Sequence, residues 1–252
     1  MTHAPTETAR GTTVPVDGQD TEFWRSHTQI SLQPVAAPSI LGLYGFAAAT
    51  FMVAANLAGL YGNNATPLIL FPFAMVFGGL AQFLAGMWAY RARDGVATAM
   101  HGMWGSFWIA WGTYQILVAA AVLPSPAVSR IAQLGFGYWF IVLAAITWVG
   151  AVAALARNVA LSLVLVTLAA GSTILAIAWV TPYGLGLQHV AGWILVASAV
   201  IAFYTASALM LESAYRLPIL PVGLLGHRGR PRRTPLAPIQ YELGEPGVKA
   251  GQ

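Results

Sequence analysis

The 252-residue chain is 58% hydrophobic and only 8% charged, against about 25% charged in a typical soluble domain. Only five of its Asp, Glu, Lys and Arg residues (Arg91, Arg93, Asp94, Arg130 and Arg157) fall between Ser39 and Leu211, too few to cover a water-soluble surface of that length. This excludes an ordinary soluble enzyme and a disordered chain, and the absence of cysteine excludes disulfides and thiolate metal sites. What remains is an all-α polytopic membrane protein.

Residues 1–38 are polar, rich in Thr, Pro and Asp, and lack the apolar stretch of a secretory signal, so they read as a disordered cytoplasmic tail. Six apolar segments follow, at about 39–61, 66–90, 96–123, 131–155, 158–180 and 187–211. Each suffices for the roughly 20 residues that a hydrocarbon core requires. The breaks are turn-like: Gly62-Asn63-Asn64, Arg91 to Gly95, Pro124-Ser125-Pro126, Arg157-Asn158 and Thr181-Pro182-Tyr183-Gly184. A six-helix transport domain over 39–213 is therefore expected. Residues 214–252 form a second tail, Pro-rich and basic, with the run His227-Arg228-Gly229-Arg230-Pro231-Arg232-Arg233. That run reads either as a solvated tail or as a segment drawn to anionic headgroups. The basic balance does not by itself point to nucleic acid, and no nucleic-acid partner is expected.

Lys and Arg counts set the orientation. The two tails and the second and fourth loops carry eleven basic residues; the other side carries only Arg130. Both termini are expected to be cytoplasmic, in a plasma (inner) membrane.

Small residues suit close helix crossings: Gly42, Gly45 and Ala49 on the first segment, and Gly79, Gln82 and Gly86 on the second. They serve packing within the chain, a subunit interface, or both. On the third segment, Thr98, His101, Gly105, Trp108, Gly112 and Gln115 follow helical spacing and form one stripe. Unpartnered polar groups are costly in lipid, so the stripe faces protein or a water-filled path. His101, the deep titratable side chain, is either bonded to a neighbouring helix or a polar contact for an anion or proton. Gln82 either bonds an adjacent backbone or lines a path. Thr50, Asn56 and Thr113 are weaker lumen candidates, and His189 and Glu212 read as residues of the two membrane surfaces. No HExxH, GxSxG, P-loop or paired intramembrane carboxylates are present, so neither an enzyme nor a metal site nor a cofactor is expected.

Three blocks carry a resemblance. They are Ala37-Pro38-Ser39-Ile40-Leu41-Gly42-Leu43-Tyr44-Gly45-Phe46; Phe77 to Trp88, running on through Tyr90 to Trp104-Gly105-Ser106-Phe107-Trp108; and His189-Val190-Ala191-Gly192-Trp193, with Tyr204 and Leu220-Pro221-Val222-Gly223. In order and spacing they resemble the acetate uptake transporter family, the succinate–acetate permeases of the YaaH type. The resemblance implies a six-helix protomer with its own solute path, assembled as a homohexamer, taking up acetate and in some members succinate. It implies an apolar constriction at Phe46, Trp104 and Val166. Tyr44, Thr50, Gln82, His101 and Trp108 are the further candidates for the path, read from this chain's own residues. Pro38, Gly42, Gly45, Gly79, Gly86, Gly105, Gly192 and Trp193 are its signature and packing positions. The chain departs from the pattern at Ala37, Ile40, Ala89, Trp104 (a Tyr in the family) and His101 (an apolar residue there).

An apolar ring at the narrowest point passes a small acid with its methyl group and resists hydrated ions, while neutral donors replace the carboxylate's lost water. The expected function is a channel or proton-coupled permease for small carboxylates. A path for a small neutral solute such as urea, a short amide or ammonia is the alternative.

Overall fold

The computed structural model describes residues 35–181 and 184–223. Most of both tails, including the basic run at 227–233, and Pro182 and Tyr183 of the fifth break lie outside the described residues. The described residues are helical, with no strand among them. The elements are α1 (Ser39–Leu57), α2 (Pro67–Phe73), the π-helical segment π1 (Ala74–Ala81), α3 (Gln82–Arg91), α4 (Gly95–Ala119), α5 (Arg130–Ala154), α6 (Val159–Val180) and α7 (Gly184–Tyr215). Since α2, π1 and α3 run on without a break, they make one rod, and the described residues form six rods. Each packs on the next, α7 returns to α1, and the ring closes.

The ends of the rods follow from local chemistry. Asp94, Ser129 and Asn158 each cap the helix that follows them, accepting from the backbone N–H of Ala97, Ala132 and Leu161. This satisfies one of the orphan donors every helix start leaves. Pro67 opens α2, where its missing N–H costs nothing. Gly59 and Gly62 turn the chain after α1 with φ of +76° and +79°, conformations open to glycine. At the start of α6 the orphan donors meet a strap from the far end of the chain. Val159 N–H donates to Gly223 O (2.7 Å) and Ala160 N–H to Val222 O (2.9 Å). Tyr204 of α7 holds the strap through its hydroxyl, which donates to Pro221 O at 2.8 Å.

The π-helical turn follows Pro72, which stands inside the preceding helix and lacks a donor. Such extra-residue turns mark close approaches and functional sites. Here π1 meets two rods at once. A side chain on Gly45 would strike the Phe77 carbonyl, and one on Gly78 would lie 2.6 Å from Ala49 and 2.7 Å from Trp108.

Five rods are long and apolar enough to cross a membrane: Ser39–Leu57, Pro67–Ala92, Arg130–Ala154, Val159–Val180 and Gly184–Tyr215. Gly95–Ala119 is not among them, which departs from the six equal spans read from the sequence. Its 25 residues are enough in length. Its apolarity is diluted by the stripe of His, Gln, Thr, Gly and Trp, much of it turned into the bundle.

Candidate functional site

The stripe on α4 faces inward: His101, Gly105, Trp108, Gly112 and Gln115 are buried and Thr98 is half-buried. It divides into two kinds of residue. A methyl at Gly105 would lie 2.6 Å from the Phe83 backbone nitrogen, and one at Gly112 2.6 Å from Met75, so the glycines bring α4 against the second rod. His101, Trp108 and Gln115 line cavities.

Two cavities lie inside the ring. The larger, about 430 Å³, opens at the end of the bundle where α1, α4 and α6 finish. Its deep part is lined by Thr50, Trp104, Phe107, Trp108, Trp111, Phe140 and Leu168, and its mouth by amides including Asn56, Asn63, Gln115, Gln133 and Gln188, with His189. The smaller, about 30 Å³, lies toward the other end and is lined by Ser39, Leu43, Phe46, Gln82, Asp94, Met100, His101, Trp104, Leu161, Val164, Leu165 and Leu168, among others. Trp104 and Leu168 line both and so form the wall between them. Trp104 is 3% exposed, Leu168 2% and Phe46 2%.

This wall is held stiffly. Trp104 Nε1–H donates to Thr147 Oγ1 at 3.0 Å, and Thr147 in turn donates to Leu143 O at 2.6 Å. The indole is packed edge-on against Phe46, Phe107 and Phe140, with centroids 6.4, 5.4 and 6.5 Å away. Such contacts fix ring orientation beyond simple burial. With its N–H committed to Thr147, Trp104 presents the cavities with an apolar face.

Polar atoms without partners stand on both sides of the wall. Trp108 Nε1 and Thr50 Oγ1 belong to residues of the large cavity, Gln82 Oε1 and His101 Nδ1 to residues of the small one. Orphaned buried polar atoms are uncommon and mark places where water or a ligand belongs. Fixed charge is nearly absent: among the described residues lining the two cavities, Asp94 is the sole Asp, Glu, Lys or Arg. Its carboxylate is occupied, accepting from Arg157 (3.0 Å) and capping α4. Arg130 stands beside the large mouth. It donates to Gln133 Oε1 (2.7 Å) and to the carbonyls of Trp179 (2.8 Å) and Val180 (2.6 Å), neutralising the C-terminal end of α6. At the same mouth burial raises the Tyr61 phenol above its usual range, so it stays neutral while it donates to Met52 O at 2.8 Å.

The residues singled out in the sequence therefore separate. Phe46, Trp104, Gln82, His101, Thr50 and Trp108 come together around the two cavities. Val166 does not: it is 38% exposed and lines neither cavity, while Leu168 stands in the wall. On a helix, two residues of offset turn a side chain through about 200°, so an ungapped register put the wrong face inward. Tyr44 is also away from the cavities, hydrogen-bonded through its hydroxyl to Ser207 (3.0 Å) and edge-on to Phe203 of α7. Thr113 is exposed and bonded to Ile109 O. Pro38 is the N-cap residue that precedes α1, and Trp193 is 53% exposed on the outside of α7. The signature glycines all serve packing within the chain. Gly42 faces His101, Gly45 faces Phe77, Gly79 faces Ile109, Gly86 faces Gly102 and Gly192 faces Ala58. Sequence reading missed Leu168, one leucine among many, and Thr147. The latter had a signal, as the one Ser or Thr in α5.

Comparison with known proteins agrees with this architecture. The chain is 25% identical to the succinate-acetate/proton symporter SatP of Escherichia coli (strain K12) over 75% of its length and 96% of that protein. It is 33% identical to the ammonia transport outward protein 2 of Saccharomyces cerevisiae over 32% of this chain. The shorter matches span 38% or less of the curated relatives concerned. The structure of the bacterial acetate channel SatP superposes with a TM-score of 0.68, at 23% identity, covering 75% of this chain and all of that one, which establishes a shared fold. The family model described as GPR1/FUN34/yaaH matches residues 21–225, a span that takes in all three sequence blocks. By that match the chain belongs to the GPR1/FUN34/yaaH family.

Proposed function

We propose that this chain carries acetate and related small carboxylates, succinate among them, across a plasma (inner) membrane, through a path within each protomer. The observation that carries the reading is the pair of cavities sharing one apolar wall, with unpartnered polar atoms on both sides and almost no fixed charge. A carboxylate leaving water must recover hydrogen bonds. The neutral groups of Trp108, Thr50, Gln82 and His101 are suited to this without trapping an anion, because a path must bind weakly enough to release. Phe46, Trp104 and Leu168 form the constriction, tolerating a short alkyl body and excluding a hydrated ion. Acetic acid titrates like an Asp or Glu side chain, at about 4 to 4.5, so at neutral pH the anion dominates. Coupling to a proton or to the membrane potential follows from that. The reading includes six spans, with α4 as one of them, both termini cytoplasmic, and a homohexamer with one path per copy. The activities named for SatP support the substrate class.

The test is uptake of labelled acetate by proteoliposomes at pH 5 and pH 7. Flux above empty liposomes, inhibited by propionate or lactate and not by urea, is expected. Flux equal to empty liposomes at both pH values overturns the reading. Inhibition by urea or ammonia instead of carboxylates would move the path to neutral solutes, the direction in which the yeast relative's name points.

A further inference from the structure

His101 stands apart from the constriction. Its side chain is 4% exposed, and Nδ1 has no hydrogen-bond partner. Its place is made by glycine: a methyl group on Gly42 would lie 2.5 Å from both Cε1 and Nδ1 of the imidazole. α1 thus leaves a seat for this ring and offers its nitrogen nothing. Gln82, at the end of the π-helical turn, lines the same cavity and is 2% exposed, with Oε1 equally unpartnered. The rest of the lining is apolar apart from Ser39 and Asp94, and Asp94 is held by Arg157. No other titratable side chain reaches this cavity from α1, the second rod or α6, among the described residues.

We propose that His101 and Gln82 form a second binding station for the carboxyl group of a short acid, on the small-cavity side of the wall made by Phe46, Trp104 and Leu168. This rests on the transport reading above. A neutral imidazole has one N–H donor and one acceptor nitrogen, and a glutamine amide has two donors and an acceptor oxygen. Together they serve a carboxylate, which accepts from both, or a carboxylic acid, whose O–H needs an acceptor. Leu43, Phe46, Met100 and Leu165 surround the alkyl part. The cavity is small, about 30 Å³, roughly one water's share of liquid volume, so acetate enters only as the lining side chains give way, and longer acids need more room still. A solute leaving Trp108 and Thr50 crosses the wall with a polar partner waiting on the far side.

The experiment is concentration-dependent uptake of labelled acetate by the full chain in proteoliposomes. His101→Phe is expected to raise KM about tenfold, the scale of one or two lost hydrogen bonds, whereas His101→Gln, which keeps a donor and an acceptor, stays within about threefold of the unsubstituted protein. Vmax changes little in either. An unchanged KM in His101→Phe, or equal losses in both variants, overturns the station and leaves transport standing. No flux in the unsubstituted protein removes the transport reading instead. A second measurement needs no His101 variant. In 15N-histidine-labelled protein in nanodiscs, with His3, His27, His189 and His227 replaced by Gln so that His101 alone reports, acetate is expected to shift the histidine signal saturably, and urea to leave it in place. No shift with acetate overturns the station.

Discussion

At the scale of single residues, the wall between the cavities is the sharpest feature. Trp104 is immobilised by Thr147 and by three aromatic edges, so the more yielding member of the wall is Leu168. Leu168→Ala is expected to raise acetate flux and to admit longer acids, at a cost of about 2–5 kcal/mol in stability from the cavity it leaves. Val166→Ala, on the outer face of the same helix, is expected to leave flux and size selectivity unchanged. Uptake of acetate, butyrate and succinate by the two variants checks both; an effect at Val166 and none at Leu168 would return the constriction to the former. The pair also shows what the sequence makes legible. Phe46 and Trp104 sit inside motif blocks whose register is unambiguous, and both line the cavities. Around these positions the fifth apolar segment reads Leu163-Val164-Leu165-Val166-Thr167-Leu168-Ala169-Ala170, and nothing in that run separates position 166 from 168. His101 and Gln82 were visible because polar residues are rare in such a chain, although their shared cavity was not.

At the scale of elements, rod boundaries followed from Asp, Ser and Asn caps and from turn glycines, which is why the six segments were readable to within a few residues. The π-helical turn was not read, since Pro72 and Gly78-Gly79 are tolerated in ordinary membrane helices. Nor was the strap of Pro221–Gly223 on the start of α6, because pairing between residues about 60 positions apart leaves no local pattern. That strap and the Asn158 cap serve the same helix end, one through backbone carbonyls and the other through a side chain. Asn158→Ala is expected to cost about 1 kcal/mol, the ordinary value of an N-cap. A chain ending at Leu217 leaves the Val159 and Ala160 N–H groups without their partners and is expected to melt several degrees below one ending at Gly223. Thermal unfolding in detergent of the two truncated chains isolates the strap, because both lack residues 224–252. Equal melting temperatures would assign the strap no part in stability.

At the scale of the whole molecule, charge scarcity has two consequences. Lining residues carry almost no fixed charge, so selectivity falls to neutral donors and an apolar wall. The five charges between Ser39 and Leu211 lie at or between rod ends, where they report sidedness. α4 is the decisive rod, because its inward polar stripe leaves it less apolar than the other five. If it crosses, its flanking turns lie on opposite sides of the membrane; if it does not, Ala92 and Ala127 share a side. The chain has no native cysteine, so single cysteines can be placed without background. Ala92, Ala127 and Ala156 are all exposed, as is Asn64 after α1. With both termini cytoplasmic, Asn64→Cys and Ala127→Cys are expected to react with a membrane-impermeant maleimide in intact cells. Ala92→Cys and Ala156→Cys are expected to react only after permeabilisation. The reverse pattern would invert the orientation and leave six crossings. Labelling of Ala92→Cys and Ala127→Cys from the same side would remove α4 from the membrane, and with it the closed ring that gives the two cavities their common wall.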